Sequence, residues 1–185
     1  KQNLMNVVNA AERSQGDRNL AWLLVGQGEE LPALRHAAEA RAPNLRLLPL
    51  QPAVALPQMY AAADTLLLNQ IAAMEDAVIP CKLLTYMAAG RPIVAAVNEN
   101  CEAARIMRQA RCGVIVPAEN PEALTAVMVA LRKDPELCRV LGANARAYAE
   151  QHFTKGSVLQ TYDELFLNTL CTAALSPARE EIVEG

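Results

Sequence analysis

The sequence predicts an α/β protein: a doubly wound, Rossmann-like parallel sheet with helices on both faces, followed by a helical C-terminal segment. Two observations carry this. Segments of helical period alternate with short apolar runs along the chain. No hairpin-type turn joins any two of those runs, and strands that recur only after helices form a parallel sheet covered on both sides.

In chain order, helix-period stretches are expected at about 3–14, 29–41, 54–62, 81–89, 102–110, 121–132, 135–150 and 157–172. The apolar runs among them, LAWLLV at 20–25, LRLL at 45–48, TLLL at 65–68, IVAAV at 93–97 and GVIV at 113–116, are the expected strands. Two of the later helices announce their own starts. Asn120-Pro121-Glu122 and Asp134-Pro135-Glu136 each offer a capping side chain, a proline at the first helical position and an acid in the first turn. Arg132-Lys133 close the helix between them. From about residue 117 the chain is almost entirely helical, and a Ser-Pro-Ala-Arg-Glu-Glu tail after Leu175 reads as frayed. One domain is therefore expected at 1–175, with a tail at 176–185. Lys1 leads directly into a helix with no initiator Met and no strand ahead of it, so the expectation is a fragment that begins in mid-unit.

Bulk properties narrow the function classes. A chain of 185 residues that is 52% hydrophobic can bury a substantial core. A net charge of −3 argues against a surface devoted to nucleic acid or anionic lipid and leaves room only for a local anion site. The apolar runs fall short of the roughly 18–20 residues a membrane span needs, and no signal-peptide pattern precedes them, so a soluble, cytosolic chain is expected. The five cysteines, Cys81, Cys101, Cys112, Cys138 and Cys171, never form C-x-x-C and stand beside no His pair. Metal is therefore not expected, and reduced, mostly buried thiols are.

Ligands of open α/β sheets sit beyond the carboxyl ends of the strands. Val25-Gly26-Gln27-Gly28-Glu29-Glu30 is a Gly-x-Gly turn leading into a helix, but a third glycine is missing and two acids occupy the place a pyrophosphate would need. The plain reading is a tight strand-to-helix turn; Gly26 and Gly28 still allow a ligand to approach closely. The stretch EDAVIPCKLLTYMAAGRPIVAA at 75–96 is different. Pro80 lacks an N–H and suits a first helical turn, leaving the amides of Cys81, Lys82 and Leu83 as unpaired donors. No acid stands in that turn and Lys82 does, so amides, helix dipole and ammonium converge as phosphate oxygens require. A solvated helix start with a surface lysine is the competing reading. Glu75 and Asp76 could take ribose or sugar hydroxyls, or form only an exposed acidic loop. Cys81 could be a lowered-pKa nucleophile, yet neither His36 nor His152 lies near it in sequence.

Taken in order, these motifs resemble the C-terminal, donor-binding half of GT-B fold glycosyltransferases of the retaining GT4 type. Lys1-Gln2-Asn3-Leu4 resembles the family's Lys-Gln-Gly-Leu, LLVGQGEEL its strand and Gly-x-Gly turn, and MYAAADTLLLNQ its Tyr-x-x-Ala-Asp segment. PCKLLTYMAAGRPIVAAV resembles its Pro-Ser-Lys helix followed by Met-Ala-Ala-Gly-Arg-Pro, and AARIMRQARCGVIVPAENPEAL the segment after it. The Asp-x-x-x-Pro-x-Lys form is closest to exopolysaccharide enzymes such as the colanic acid biosynthesis glycosyltransferases. The resemblance implies a nucleotide-sugar donor as substrate, no cofactor or metal, and transfer with retention to a glycan or lipid-linked acceptor held by an N-terminal domain. It implies phosphates facing Lys1 and Lys82, Cys81 in the place of the usual Ser, and Gln51-Pro52 beside the nucleobase. A strand and Gly-rich turn ahead of Lys1, and peripheral contact with the inner membrane face through the other half, are also implied. Many members carry Glu-x7-Glu where this chain has Ala77 and Thr85, so Thr85 offers the ribose only a hydroxyl. The alternative is a non-catalytic doubly wound module binding a protein or nucleotide.

Overall fold

The computed structural model describes residues 2–74 and 79–175, with 170–175 by backbone alone. The tail expected after Leu175 lies outside the described residues, as do Lys1, Glu75, Asp76 and Ala77. The chain divides into two compact units, Lys1–Ala149 and Glu150–Gly185.

In the first unit the alternation appears as α1 (Met5–Arg13), β1 (Trp22–Val25), α2 (Leu31–Arg41), β2 (Leu45–Leu48), a 3-10 turn at Ala53–Ala55, α3 (Leu56–Ala62), β3 (Leu66–Asn69), α4 (Cys81–Ala88), β4 (Ile93–Val97), α5 (Glu102–Ala110), β5 (Gly113–Pro117), α6 (Pro121–Lys133) and most of α7 (Pro135–His152). Every strand pairing is parallel, as expected. The strands form two ladders rather than one continuous sheet: β1 with β2, and β3-β4-β5 with β4 in the middle. In the first, Trp22 stands opposite Leu45; in the second, Ile93 lies between Leu66 and Gly113.

One apolar core joins the two ladders. Trp22 and Leu45 come from the first, Val94, Ala96 and Val116 from the second, and α1, α2 and α6 supply Val7, Val8, Leu34, Ala38, Leu124 and Leu131. All five residues of β4 are buried, which is why this strand reads as an unbroken apolar run rather than an alternating one. Polar anchors fix the helices on this core. The buried Ser14 ends α1, and its Oγ accepts from the Trp22 indole at 2.9 Å, which seats that ring. Thr125 of α6 reaches the Ala10 carbonyl of α1 at 3.0 Å.

The two capping motifs fold as their residues dictate. Asn120 Oδ1 accepts from the Ala123 amide at 2.9 Å and Asp134 Oδ1 from the Leu137 amide at 2.9 Å. α7 in turn closes the ends of two other helices: Arg146 donates to the Ala88 carbonyl at 2.6 Å, and Asn144 to that of Arg111 at 3.0 Å. Gly142 permits this contact, since a Cβ there would lie 2.4 Å from the Gly90 carbonyl oxygen.

In the second unit α8 (Lys155–Leu175) exposes Leu159, Tyr162, Leu165, Phe166 and Leu167, with the Tyr162 and Phe166 rings stacked at 6.4 Å between centroids. No helix among the described residues is long and apolar enough to cross a membrane.

Candidate functional site

With all strands parallel, their carboxyl ends gather on one rim, and each helix that follows a strand starts there. That rim carries the turn at Gly26, the Leu48-to-Pro52 loop, the Asn69-Gln70 end of β3, and the start of α4.

α4 begins at Cys81, with Pro80 outside it in an extended conformation (φ −63°, ψ 122°). Proline is thus the residue before the helix rather than its first member. The Leu83 amide donates to the Pro80 carbonyl at 2.9 Å, so it is not one of the free donors; the expectation of three open amides is corrected to two. The amides of Cys81 and Lys82 have no backbone acceptor among the described residues. Both side chains are exposed, and no acid lies in the first turn. Thr85 is exposed too, but its hydroxyl donates back to the Lys82 carbonyl at 2.9 Å, which ties it to the helix.

The body of α4 is anchored beneath this open end. Leu83 and Met87 are fully buried, and Tyr86 meets Tyr60 of α3 edge-on at 5.3 Å between ring centroids. Burial, with Tyr60 adding to it, pushes the Tyr86 phenol up to about 12. Tyr86 is therefore a neutral packing group. This contact packs α3, the helix that follows the Gln51-Pro52 loop, against α4. Gln51 turns its amide back to the Pro49 carbonyl at 2.9 Å, and Pro52 is exposed.

The Gly26 turn is built differently. Gly26 has φ 157°, which favours glycine, and continues the β1–β2 ladder through its amide to the Leu48 carbonyl at 3.1 Å. A Cβ at Gly26 or Gly28 would meet nothing within 4 Å, so both face open space. Glu29 and Glu30 are exposed just before α2. This turn leaves room for a neutral part of a ligand and repels an anionic one.

Sequence reasoning missed several rim residues. Leu50 and Val54 flank Gln51-Pro52 and are 59% and 84% exposed, an apolar edge that no periodicity marks. Asn3, Asn6, Asn69 and Glu119 form a connected polar cluster; its one sequence signal is the Asn-Gln pair ending the apolar run of β3. Among the described residues no group of three or more His, Cys, Asp and Glu is placed to hold a metal ion. Cys81, Cys101, Cys112 and Cys138 are free thiols. Cys101 and Cys112 are buried, with desolvation pushing Cys112 up to about 11, and Cys138 is half-buried, so of these thiols Cys81 is the most exposed.

A family model described as "Glycosyl transferases group 1" matches residues 1–134, which include this entire rim. The chain belongs to the group 1 glycosyl transferases. It is 32% identical over 163 residues to WcaI of Escherichia coli (strain K12), named as a colanic acid biosynthesis glycosyl transferase, covering 88% of this chain and 39% of that protein. It is 24% identical over 166 residues to WbjE of Pseudomonas aeruginosa, named as a glycosyltransferase, covering 87% of this chain and 40% of that one. The chain thus spans about two fifths of the length of the curated relatives it matches. Among solved structures, Anabaena Alr3699/HepE in complex with UDP-glucose superposes with a TM-score of 0.72 at 18% identity, over 90% of this chain and 45% of that one. WaaG, a glycosyltransferase involved in lipopolysaccharide biosynthesis, gives 0.62 at 23% identity over 80% and 39%. These likenesses fix the fold as half of a GT-B glycosyltransferase.

Proposed function

We propose that this group 1 glycosyl transferase chain is the donor-nucleotide domain of an enzyme that transfers a sugar, with retention, to a glycan or lipid-linked acceptor in polysaccharide or cell-envelope biosynthesis. The observation that carries the reading is the start of α4: two amides without backbone acceptors among the described residues and an exposed Lys82, with no acid in the turn. A diphosphate seated there gains the helix dipole, the amides and the ammonium together. As the bond between sugar and diphosphate breaks, negative charge accumulates on the departing phosphate, and donors already aimed at it stabilise that charge without rearranging. These cations and amides perform the neutralisation, so the reading calls for no cofactor or metal.

The other assignments rest on the family resemblance. Lys1 adds a second cation to the diphosphate, and Glu75 or Asp76 accepts hydroxyls of ribose or sugar. Gln51 and Pro52, with exposed Leu50 and Val54 beside them, receive the base. Gly26 and Gly28 leave space for the neutral sugar. Thr85 supports the Lys82 turn from within the helix. The names of the relatives support this reading: one neighbour holds UDP-glucose, and WcaI is named for colanic acid biosynthesis. The acceptor half of the enzyme, with any peripheral contact to the cytoplasmic face of the membrane, belongs to the remainder of a longer protein.

Cys81 gives a direct test, because a diphosphate on these amides covers its thiol. Alkylation by iodoacetamide, followed by peptide-resolved mass spectrometry, should label Cys81 well before Cys101 and Cys112. One of UDP, GDP and ADP should slow labelling of Cys81 severalfold and leave Cys138 unaffected. Labelling of Cys81 that proceeds at the same rate under saturating concentrations of all three would contradict the assignment.

A further inference from the structure

The edges of the two ladders are not alike. β2 carries Arg46, with Pro43 shortly before it and Pro49 directly after it, and β5 ends on Pro117. Prolines and charges on an edge keep further strands from adding to it. β1 (Trp22–Val25) and β3 (Leu66–Asn69) hold neither, although each pairs on one side only among the described residues. Their unused backbone groups follow from the register. Trp22 and Gly26 donate to the Asn44 and Leu48 carbonyls, so the amides of Leu23 and Val25 point to the other edge of β1. Leu66 and Gln70 donate to the Pro92 and Ala96 carbonyls, so those of Leu67 and Asn69 point to the other edge of β3.

The helices above show how these two edges are related. α1 packs against α2 on one side and α6 on the other; α2 contacts β2, and α6 contacts β4 and β5. α1 therefore lies over the interval between the ladders. The backbone enters it at the carboxyl end of β3, where Asn69 Nδ2 donates to the Gln2 carbonyl and, at 3.2 Å, to that of Asn3. Asn6 in the first turn of α1 donates to Asn69 Oδ1 at 2.8 Å, which fixes the helix start at the same point. A parallel strand beside β3 that led into α1 would form a right-handed crossover unit with β1. The order would then be β2-β1-strand-β3-β4-β5, the continuous 3-2-1-4-5-6 arrangement of a doubly wound sheet.

We infer that the interval between β1 and β3 is a slot for one added strand, and that its occupant is the segment leading into Gln2 in a longer form of this protein, paired in parallel with both inner edges. The chain spans about two fifths of the length of its curated relatives, which leaves room for such a segment. Pairing on both sides excludes proline from the occupant, and the side facing α1 calls for apolar residues at alternate positions. This inference concerns the frame and stands apart from the donor reading.

Amide hydrogen exchange, read residue by residue in the 185-residue chain and in the protein extended upstream of Lys1, tests it. In the 185-residue chain, Leu23, Val25, Leu67 and Asn69 should exchange much faster than Leu24 and Leu68 between them. In the extended protein the four should slow by at least about 100-fold, as amides bonded within a stable sheet do. Leu47 and Ile115, whose amides face the outer edges, should exchange alike in both. Equal exchange of the four amides in the two proteins would overturn the inference. So would protection of the four already present in the 185-residue chain: protection that rises with protein concentration would mean that a second copy fills the slot, and protection independent of concentration that the two ladders pair directly.

Discussion

Gly113→Ala should force β5 away from β4, and it is the substitution with the largest expected effect on stability. Gly113 opens β5 directly opposite Ile93, and a Cβ there would lie 1.8 Å from the Ile93 carbonyl oxygen and 2.7 Å from its carbon. The obstacle is backbone, so no rotamer relieves it; β5 must withdraw from β4. β4 is the middle strand and its five residues are all buried, so the shift propagates into the core through Val94 and Ala96. Forced overpacking costs about 1–3 kcal/mol where side chains can adjust, and more is expected here because they cannot. At roughly 2–4 °C per kcal/mol for a chain of this size, the melting temperature should fall by about 6–12 °C or more. Thermal denaturation followed by circular dichroism measures this directly. A variant that melts within a degree or two of the wild type would show that the close approach of β4 and β5 is not as described.

Lys82→Ala should have the largest effect on ligand binding and almost none on folding. The side chain is exposed, it makes no hydrogen bond or ion pair among the described residues, and alanine is a better helix former than lysine. On the donor-domain reading its ammonium faces a diphosphate, and a hydrogen bond to a charged group contributes about 1.5–3 kcal/mol, so affinity should drop roughly 10- to 100-fold. The loss should shrink as salt is raised, because an exposed charge pair is screened. Nucleoside binding should not change. Calorimetric titration of both proteins at low and high salt separates these outcomes. Equal affinity for the diphosphate in both would remove Lys82 from the site.

What the sequence made legible follows from how local the controlling physics is. β4 and α5 were readable to the residue, one because a strand buried on both faces is apolar throughout, the other because its helical period is unbroken. The starts of α6 and α7 were readable because Asn120 and Asp134 cap their own helices through bonds spanning three residues. α4 was placed correctly from Pro80, but the number of open amides was not, since the Leu83-to-Pro80 bond depends on how tightly the first turn winds. Likewise, the back-bond that ties up Thr85 is invisible to a residue-type argument. The separation into two ladders escaped notice because strand neighbours are chosen by tertiary packing, not by the strands' own patterns. The hydrogen-bond cluster around Asn69 was out of reach for the same reason: it joins residues 63, 66 and 67 positions apart, and only the polar end of an apolar strand hinted at it.

The central claim is that the start of α4 holds the diphosphate of a nucleotide donor. Residue-resolved amide chemical shifts, followed during titration with UDP, GDP and ADP in turn, test it most directly. One nucleotide should move the amides of Cys81 and Lys82 together with those of the Gln51 loop, while the buried amides of β4 stay in place. If the bound nucleotide instead shifts residues away from this rim, or if all three leave Cys81 and Lys82 unmoved at millimolar concentration, the phosphate site is not at α4.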